Sequence, residues 1–261
     1  MITKEFQLFK AAVSYFTRIP VESKLNNTRA LEESLKFLPI IGLLVGLTSL
    51  AIFLVSSRLW SVDVSLLLVM IFQIVVTGAL HEDGLADFYD GFCGGYQKEK
   101  ILAIMKDSRV GTFGALSLYI TFLLKFMILR DLPVAILPLA LVLAPCLSRG
   151  IAASIVSTVP YARENQTWTK TVVNSPLRGG NLFWLILLSI APVVLFDPLL
   201  IPWILTVAIL VRMLMVLWVR KKIGGYTGDC LGATQQITEV AIFLVIGAWY
   251  GLDIDPTSAG I

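Results

Sequence analysis

Eleven consecutive residues, His81-Glu82-Asp83-Gly84-Leu85-Ala86-Asp87-Phe88-Tyr89-Asp90-Gly91, hold four carboxylates and the only histidine of the chain. They close a long apolar run, Val62 to Leu80. On a helix Asp83, Asp87 and Asp90 stand at i, i+4 and i+7 and project from one face. Like charges stacked in this way repel unless a cation sits between them, so the spacing points to a divalent metal carrying a phosphorylated substrate. The acids do not alternate at every second position as in an EF-hand loop; they suit Mg2+, which takes one or two carboxylates and fills its shell with phosphate oxygens and water. A solvated acidic loop is the plainer alternative, but no base is interleaved between Asp83 and Asp90.

Two further polar stretches interrupt the apolar background. In Lys106-Asp107-Ser108-Arg109-Val110-Gly111-Thr112-Phe113-Gly114 the two cations are one helical turn apart. Arginine suits bidentate phosphate contact and lysine acts as a point charge, while a helix beginning near Gly111 favours an anion. An ordinary positive anchor at a membrane face has the same composition. In Gly224-Gly225-Tyr226-Thr227-Gly228-Asp229-Cys230-Leu231-Gly232-Ala233, four glycines around Thr227 and Asp229 form a loop whose amides could cradle a phosphate. It is neither a Walker A loop nor a dinucleotide fingerprint, and taken alone it also reads as a turn between helices.

These stretches must be positioned by membrane helices. The chain has 261 residues, 57% hydrophobic and 15% charged, with mean hydropathy +0.82; soluble chains are nearer a quarter charged. A span takes about 20 apolar residues, and seven runs can be read, near 38–57, 62–80, 110–130, 134–157, 181–197, 200–219 and 237–252. The expected fold is an all-α polytopic membrane bundle of about seven transmembrane helices, one domain over 1–261, with 1–36 a cytoplasmic amphipathic N-terminal segment. Phe6, Phe9, Val13 and Phe16 recur at helical spacing there, which fits a helix on the membrane surface or one packed on the bundle. Sixteen of the 21 Lys and Arg residues fall on one side of such a model: six before the first run, then groups in 81–109, 158–180 and 220–236. The positive-inside rule makes that side, and the N-terminus, cytoplasmic.

Lys125, Arg149, Arg212 and Glu239 lie inside apolar runs. Such groups are costly in hydrocarbon and face an interior cavity; Lys125 and Arg212 are near enough to run ends to snorkel. Cys93, Cys146 and Cys230 have no paired spacing and read as ordinary thiols. The first 36 positions carry scattered charges and do not read as a cleavable signal. A net charge of +3 is too small to suggest nucleic acid.

Two families of membrane transferase fit in part. Asp83 and Asp87 satisfy the D-x-x-x-D of intramembrane prenyltransferases, but no second acidic cluster exists. Asp83-Gly84-Leu85-Ala86 begins like the CDP-alcohol phosphotransferase motif without its arginine. The chain resembles the adenosylcobinamide-GDP ribazoletransferases (cobalamin synthases) much more closely. The resemblance is carried by Phe16-Thr17-Arg18-Ile19-Pro20, by His81 to Gly91 with Gly94-Gly95, by Ile104 to Gly114 and by Thr227 to Ala233, in family order. Glu82 stands where a leucine is usual, and Phe88-Tyr89 replaces smaller residues.

The resemblance implies that adenosylcobinamide-GDP and α-ribazole, or its 5′-phosphate, are joined with release of GMP by Mg2+-dependent phosphoryl transfer. It implies Asp83, Asp87 and Asp90 as metal ligands, Lys106 and Arg109 as stabilisers of developing charge, and His81 or an aspartate as base. Arg18, Asp107, Thr112, Arg149, Thr227 and Asp229 are its expected substrate-binding residues. The implied location is the cytoplasmic (inner) membrane of a bacterium or archaeon, multi-pass, with the active loops in the cytoplasm. The bilayer is the expected partner and nucleic acid is not; an assembly of several copies is left open. A transporter using Asp83, Asp87 and Arg149 is the rival of another class, but transporters more often show inverted repeats, and none is visible.

Overall fold

Within hydrocarbon no water can satisfy peptide groups, so apolar runs fold as helices. The computed structural model describes residues 2–25, 28–163, 177 and 179–251. Among these, eleven α-helices follow in order: α1 Ile2–Phe16, α2 Thr28–Ser34, α3 Leu38–Ser56, α4 Val62–Thr77, α5 Leu80–Gly94, α6 Lys98–Ile104, α7 Thr112–Asp131, α8 Leu137–Ser154, α9 Gly180–Ile190, α10 Ile201–Ile223 and α11 Gly228–Gly251. The one β-type pairing among the described residues is an isolated bridge between Tyr161 and Tyr226. Lys170 and Arg178, part of the third cationic loop, lie outside the described residues.

Five stretches are long and apolar enough to cross a membrane: Leu35–Ser56, Thr112–Asp131, Leu137–Ser157, Ile201–Ile223 and Gly228–Gly251. Helices α4 and α5, bent by 86° at their junction, make a sixth if taken as one span. The expected count of about seven therefore becomes five or six among the described residues. The shortfall falls at the run 181–197, where the apolar helix covers only Gly180–Leu195. Pro192 opens a tighter 3-10 turn there, because proline has no N–H with which to continue an α-helix. By contrast the run 237–252 belongs to a helix of 24 residues that begins at Gly228.

Helix α8 lies at the centre: 78% of its apolar stretch is buried, against 17% for α7 and 28% for α10. Its closest neighbour is α3, which carries Gly42 and Gly46 one turn apart. A Cβ at Gly42 would strike the carbonyl of Pro145, and one at Gly46 would lie 2.7 Å from Val142 Cα. Small residues at this spacing let membrane helices pack backbone to backbone. Helix α1 lays Leu8, Ala12, Val13 and Phe16 against the bundle, whereas Phe6 stays 58% exposed. Lys125 does not snorkel to an end of α7. It is buried, with Nζ 2.5 Å from Gln236 Oε1 and 3.4 Å from Glu239 Oε1.

The α3–α8 contact gives a direct test of the fold. Gly42→Val puts two methyl groups into the Pro145 backbone, and overpacking of this kind costs about 1–3 kcal/mol or more. The variant should lower the thermal midpoint in detergent markedly, whereas Leu44→Val, at an exposed position, should leave it nearly unchanged.

Candidate active site

The site begins with a corner. Gly78 and Ala79 both adopt left-handed backbone, with φ of +63° and +58°. Glycine takes this conformation freely, but alanine does so at a cost. The Ala79 amide donates to Ile74 O at 2.9 Å, and its carbonyl accepts from Asp83 at 2.8 Å. Arg18 covers the outside: its amide donates to Val76 O at 2.7 Å, and its side chain fills the space that a Cβ on Gly78 would need. The turn sends α5 nearly at right angles to α4. With four carboxylates in 15 residues, α5 is too polar to cross hydrocarbon itself and lies across the end of the bundle.

There α5 meets α11 at glycines. A Cβ on Gly84 would sit 3.0 Å from Asp229 O and 3.2 Å from Gly232 Cα. This approach brings Asp229, in the first turn of α11, to the acidic face of α5. Asp83 is exposed and Asp87 half-buried. Burial, followed by the charges of Asp229, Asp83 and Asp90, pushes the Asp87 carboxyl up to about 7, against a smaller opposing pull from Arg163. The side chain of Thr227 accepts from the Cys230 amide at 3.3 Å, capping α11, and donates to Asp229 Oδ2 at 3.2 Å.

Arg163 is the residue that sequence reasoning missed. Its Nη2 donates to Asp229 Oδ2 at 2.8 Å and lies 3.4 Å from Met105 O. The segment is held by two backbone bonds, Tyr226 N–H to Pro160 O and Ala162 N–H to Tyr226 O, both 2.9 Å. No motif marks this position; the only signal was its membership of a cationic loop on the predicted cytoplasmic side.

Other expected residues are placed differently. Asp90 is buried, and each of its oxygens accepts an amide at the start of α7, from Gly111 at 2.6 Å and Gly114 at 2.8 Å. Both oxygens thus serve the helix N-terminus rather than a metal triad with Asp83 and Asp87. Among the described residues no group of three or more His, Cys, Asp or Glu side chains is placed to hold a metal. The segment carrying Lys106 and Arg109 is not helical, so the two are not set one helical turn apart, and Arg109 turns to its own neighbour. Its guanidinium forks onto Asp107, with Nη2–Oδ2 at 2.6 Å and Nε–Oδ1 at 3.0 Å, and this contact holds the Asp107 carboxyl well below its usual range. Lys106 and Thr112 are exposed beside it.

His81 and Arg149 face the interior. His81 is two residues, about 200° of helix, from Asp83. It is buried with Nε2 unpaired, and burial, then Arg149 and Lys125, hold its pKa well below 6.5. Arg149 is buried on α8, where Nη1 donates to Pro145 O at 3.1 Å. Glu82, whose role was not legible, accepts from Gln236 Nε2 at 2.9 Å.

The chemistry on offer is a set of carboxylates that repel one another, with one guanidinium between elements. A carboxyl raised from 3.8 to about 7 binds its proton more tightly in the folded state. Without a cation, the fold therefore loses stability as pH climbs through that interval. Bound Mg2+ favours the ionised form. The gain in thermal midpoint on adding Mg2+ should thus be larger near pH ~8 than near pH ~5, and Asp87→Asn should flatten the difference. An equal gain at both pH values would show that Asp87 takes no part in binding the cation.

The family described as cobalamin-5-phosphate synthase matches residues 8–247. An adenosylcobinamide-GDP ribazoletransferase of Shewanella sp. (strain W3-18-1) is 40% identical over 248 residues, covering 93% of this chain and 94% of its own. The protein of the same name from Vibrio cholerae (strain ATCC 39315 / El Tor Inaba N16961) is 35% identical over 248 residues, covering 94% and 95%. That of Shewanella oneidensis is 39% identical over 247 residues, covering 93% and 94%. No solved structure matches the chain. The matched span takes in the corner at Gly78, the acidic face of α5, Arg163 and the start of α11, and the chain belongs to the adenosylcobinamide-GDP ribazoletransferase family.

Proposed function

We propose that the acidic face of α5 is where this chain joins adenosylcobinamide-GDP to α-ribazole or its 5′-phosphate. The products are adenosylcobalamin or its 5′-phosphate, and GMP. Family membership over residues 8–247 supports the reaction, and one juxtaposition supports the place: Asp83 and Asp87 of α5 beside Asp229 of α11, with Arg163 on Asp229.

In the transfer a ribose hydroxyl of α-ribazole forms a bond to the phosphoryl group borne by the corrinoid. The pyrophosphate bridge breaks, GMP leaves with the bridging oxygen, and the hydroxyl proton is given up. Such reactions depend on positioning and on neutralising charge on phosphate oxygens. Asp83 and Asp87 offer hard oxygen donors at an accessible face and fit a cation that takes one or two carboxylates and completes its shell from the substrate. Mg2+ bound there would offset charge on the transferred group. Lys106 and Arg109 stand on the same end of the bundle. An exposed pair such as Arg109–Asp107 is weak and screened, so Arg109 is free to exchange Asp107 for phosphate. The acidic face supplies the proton acceptor in this scheme, because His81 lies on the other side of α5.

The protein in detergent, given both substrates and Mg2+, should release GMP and the joined corrinoid, read by mass spectrometry. Turnover without a sealed compartment excludes transport as the primary activity, and no GMP would refute the reaction. Asp83→Asn should abolish turnover at every Mg2+ concentration; substantial residual activity would sink the metal assignment.

The site end is read as cytoplasmic, with the N-terminus inside and a seventh crossing within 180–197, because the Lys- and Arg-bearing segments gather there. Cys93 is exposed on α5, whereas Cys146 and Cys230 are buried. A membrane-impermeant maleimide should therefore label Cys93 in inside-out vesicles and not in intact cells. The reverse pattern would invert the topology.

A further inference from the structure

Arg163 combines three features that no structural role requires together. It binds Asp229 through Nη2 alone, and its Nε is buried without a hydrogen-bond partner. It reaches from the segment after α8 to Met105, next to Lys106, as well as to α11. It is also the guanidinium whose charge opposes the mutual repulsion of Asp87 and its acidic neighbours. A guanidinium has five donors in a planar fork that matches phosphate in bidentate fashion. Among the described residues the bonds of that fork come from Nη2, and the shorter one goes to a carboxylate in the candidate site.

We propose that Arg163 is a phosphate-binding residue of the site that exchanges partners: in the empty protein it neutralises Asp229, and on entry of a nucleoside diphosphate it turns its fork to phosphate oxygens. This rests on the reading of the acidic face as the transfer site and adds to it the group that receives the anion. The exchange solves a charge problem. A cluster of Asp83, Asp87 and Asp229 repels a pyrophosphate, and a guanidinium already held between the loops supplies a counter-charge without importing a side chain from solvent. Its anchor, the Tyr226–Pro160 and Ala162–Tyr226 backbone pairing, lets the side chain swing while the backbone stays in place.

The exchange predicts opposite signs for the two partners, which a purely structural salt bridge does not. Binding of GDP to the full chain in detergent, without metal, would be measured by calorimetry. Arg163→Gln should weaken GDP binding by roughly 10- to 100-fold, the size of a lost charge-assisted contact, and Arg163→Lys by less. Asp229→Asn, nearly isosteric, should tighten it, because Arg163 is released. The gain must vanish in the double variant Arg163→Gln/Asp229→Asn. If Asp229→Asn weakens binding as Arg163→Gln does, the pair is a structural clamp and the proposal fails. If the double variant keeps the gain, removal of the Asp229 charge alone explains it, and the proposal also fails. Thermal midpoints of the four proteins show whether each is folded. A wild-type chain that binds GDP through Arg163 but releases no GMP from adenosylcobinamide-GDP would refute the reaction and leave the phosphate site intact.

Discussion

Helix α5 can lie against α11 only because Gly84 and Gly232 present no side chains where the two backbones meet. A Cβ at either position would lie 3.0–3.3 Å from backbone of the facing helix, so even alanine would force the two backbones apart by a few tenths of an ångström, and a larger side chain by more. The left-handed pair Gly78–Ala79 sets the direction of approach. Asp90 fixes the far end by taking two of the free amides that open α7, where the helix dipole favours a carboxylate. With its corner, its crossing and its far end all tied, α5 behaves as a rigid bar whose free face is acidic.

The opposite face of that bar explains how so polar a helix is tolerated at a membrane. Glu82 accepts from Gln236, which also accepts from Lys125; Lys125 pairs with Glu239; and Gln235 donates to Glu239 and Ser148. The network joins α5, α7, α8 and α11. Two buried carboxylates, Glu82 and Glu239, are balanced by two buried cations, Lys125 and Arg149. Charges in hydrocarbon find partners within the bundle, and a paired network of this kind sets register more than it adds stability. It leaves α5 with two distinct polar environments: a neutralised interior and an outer face whose repulsion Arg163 offsets only in part.

Several of these relations were legible along the chain. Counts of Lys and Arg placed the 81–109, 158–180 and 220–236 segments on one side, and the structure brings described residues of all three into contact at one end of the bundle. The spacing of Asp83, Asp87 and Asp90 announced a helical stripe. The stripe could not reveal that Asp90 would be drawn to Gly111 and Gly114, because a helix N-terminus seeks any nearby acceptor and the identity of that acceptor depends on which helices cross. Lys106 and Arg109 read as two cations one helical turn apart that could hold phosphate from one side; the segment is not helical, and Arg109 forks onto Asp107.

Local chemistry and periodicity therefore determined the class of the protein, the helical membrane segments, the acidic stripe and the clustering of polar loops, since each depends on residues within a few turns of one another or on the bilayer as a uniform solvent. Only the tertiary structure decided which carboxylates meet. Asp229 lies 142 positions beyond Asp87, and Arg163 belongs to a loop without a motif. Their meeting depends on the close approach of backbones at Gly84 and Gly232 and on the pairing of Tyr226 with the Pro160–Ala162 segment, contacts that no spacing along the chain encodes.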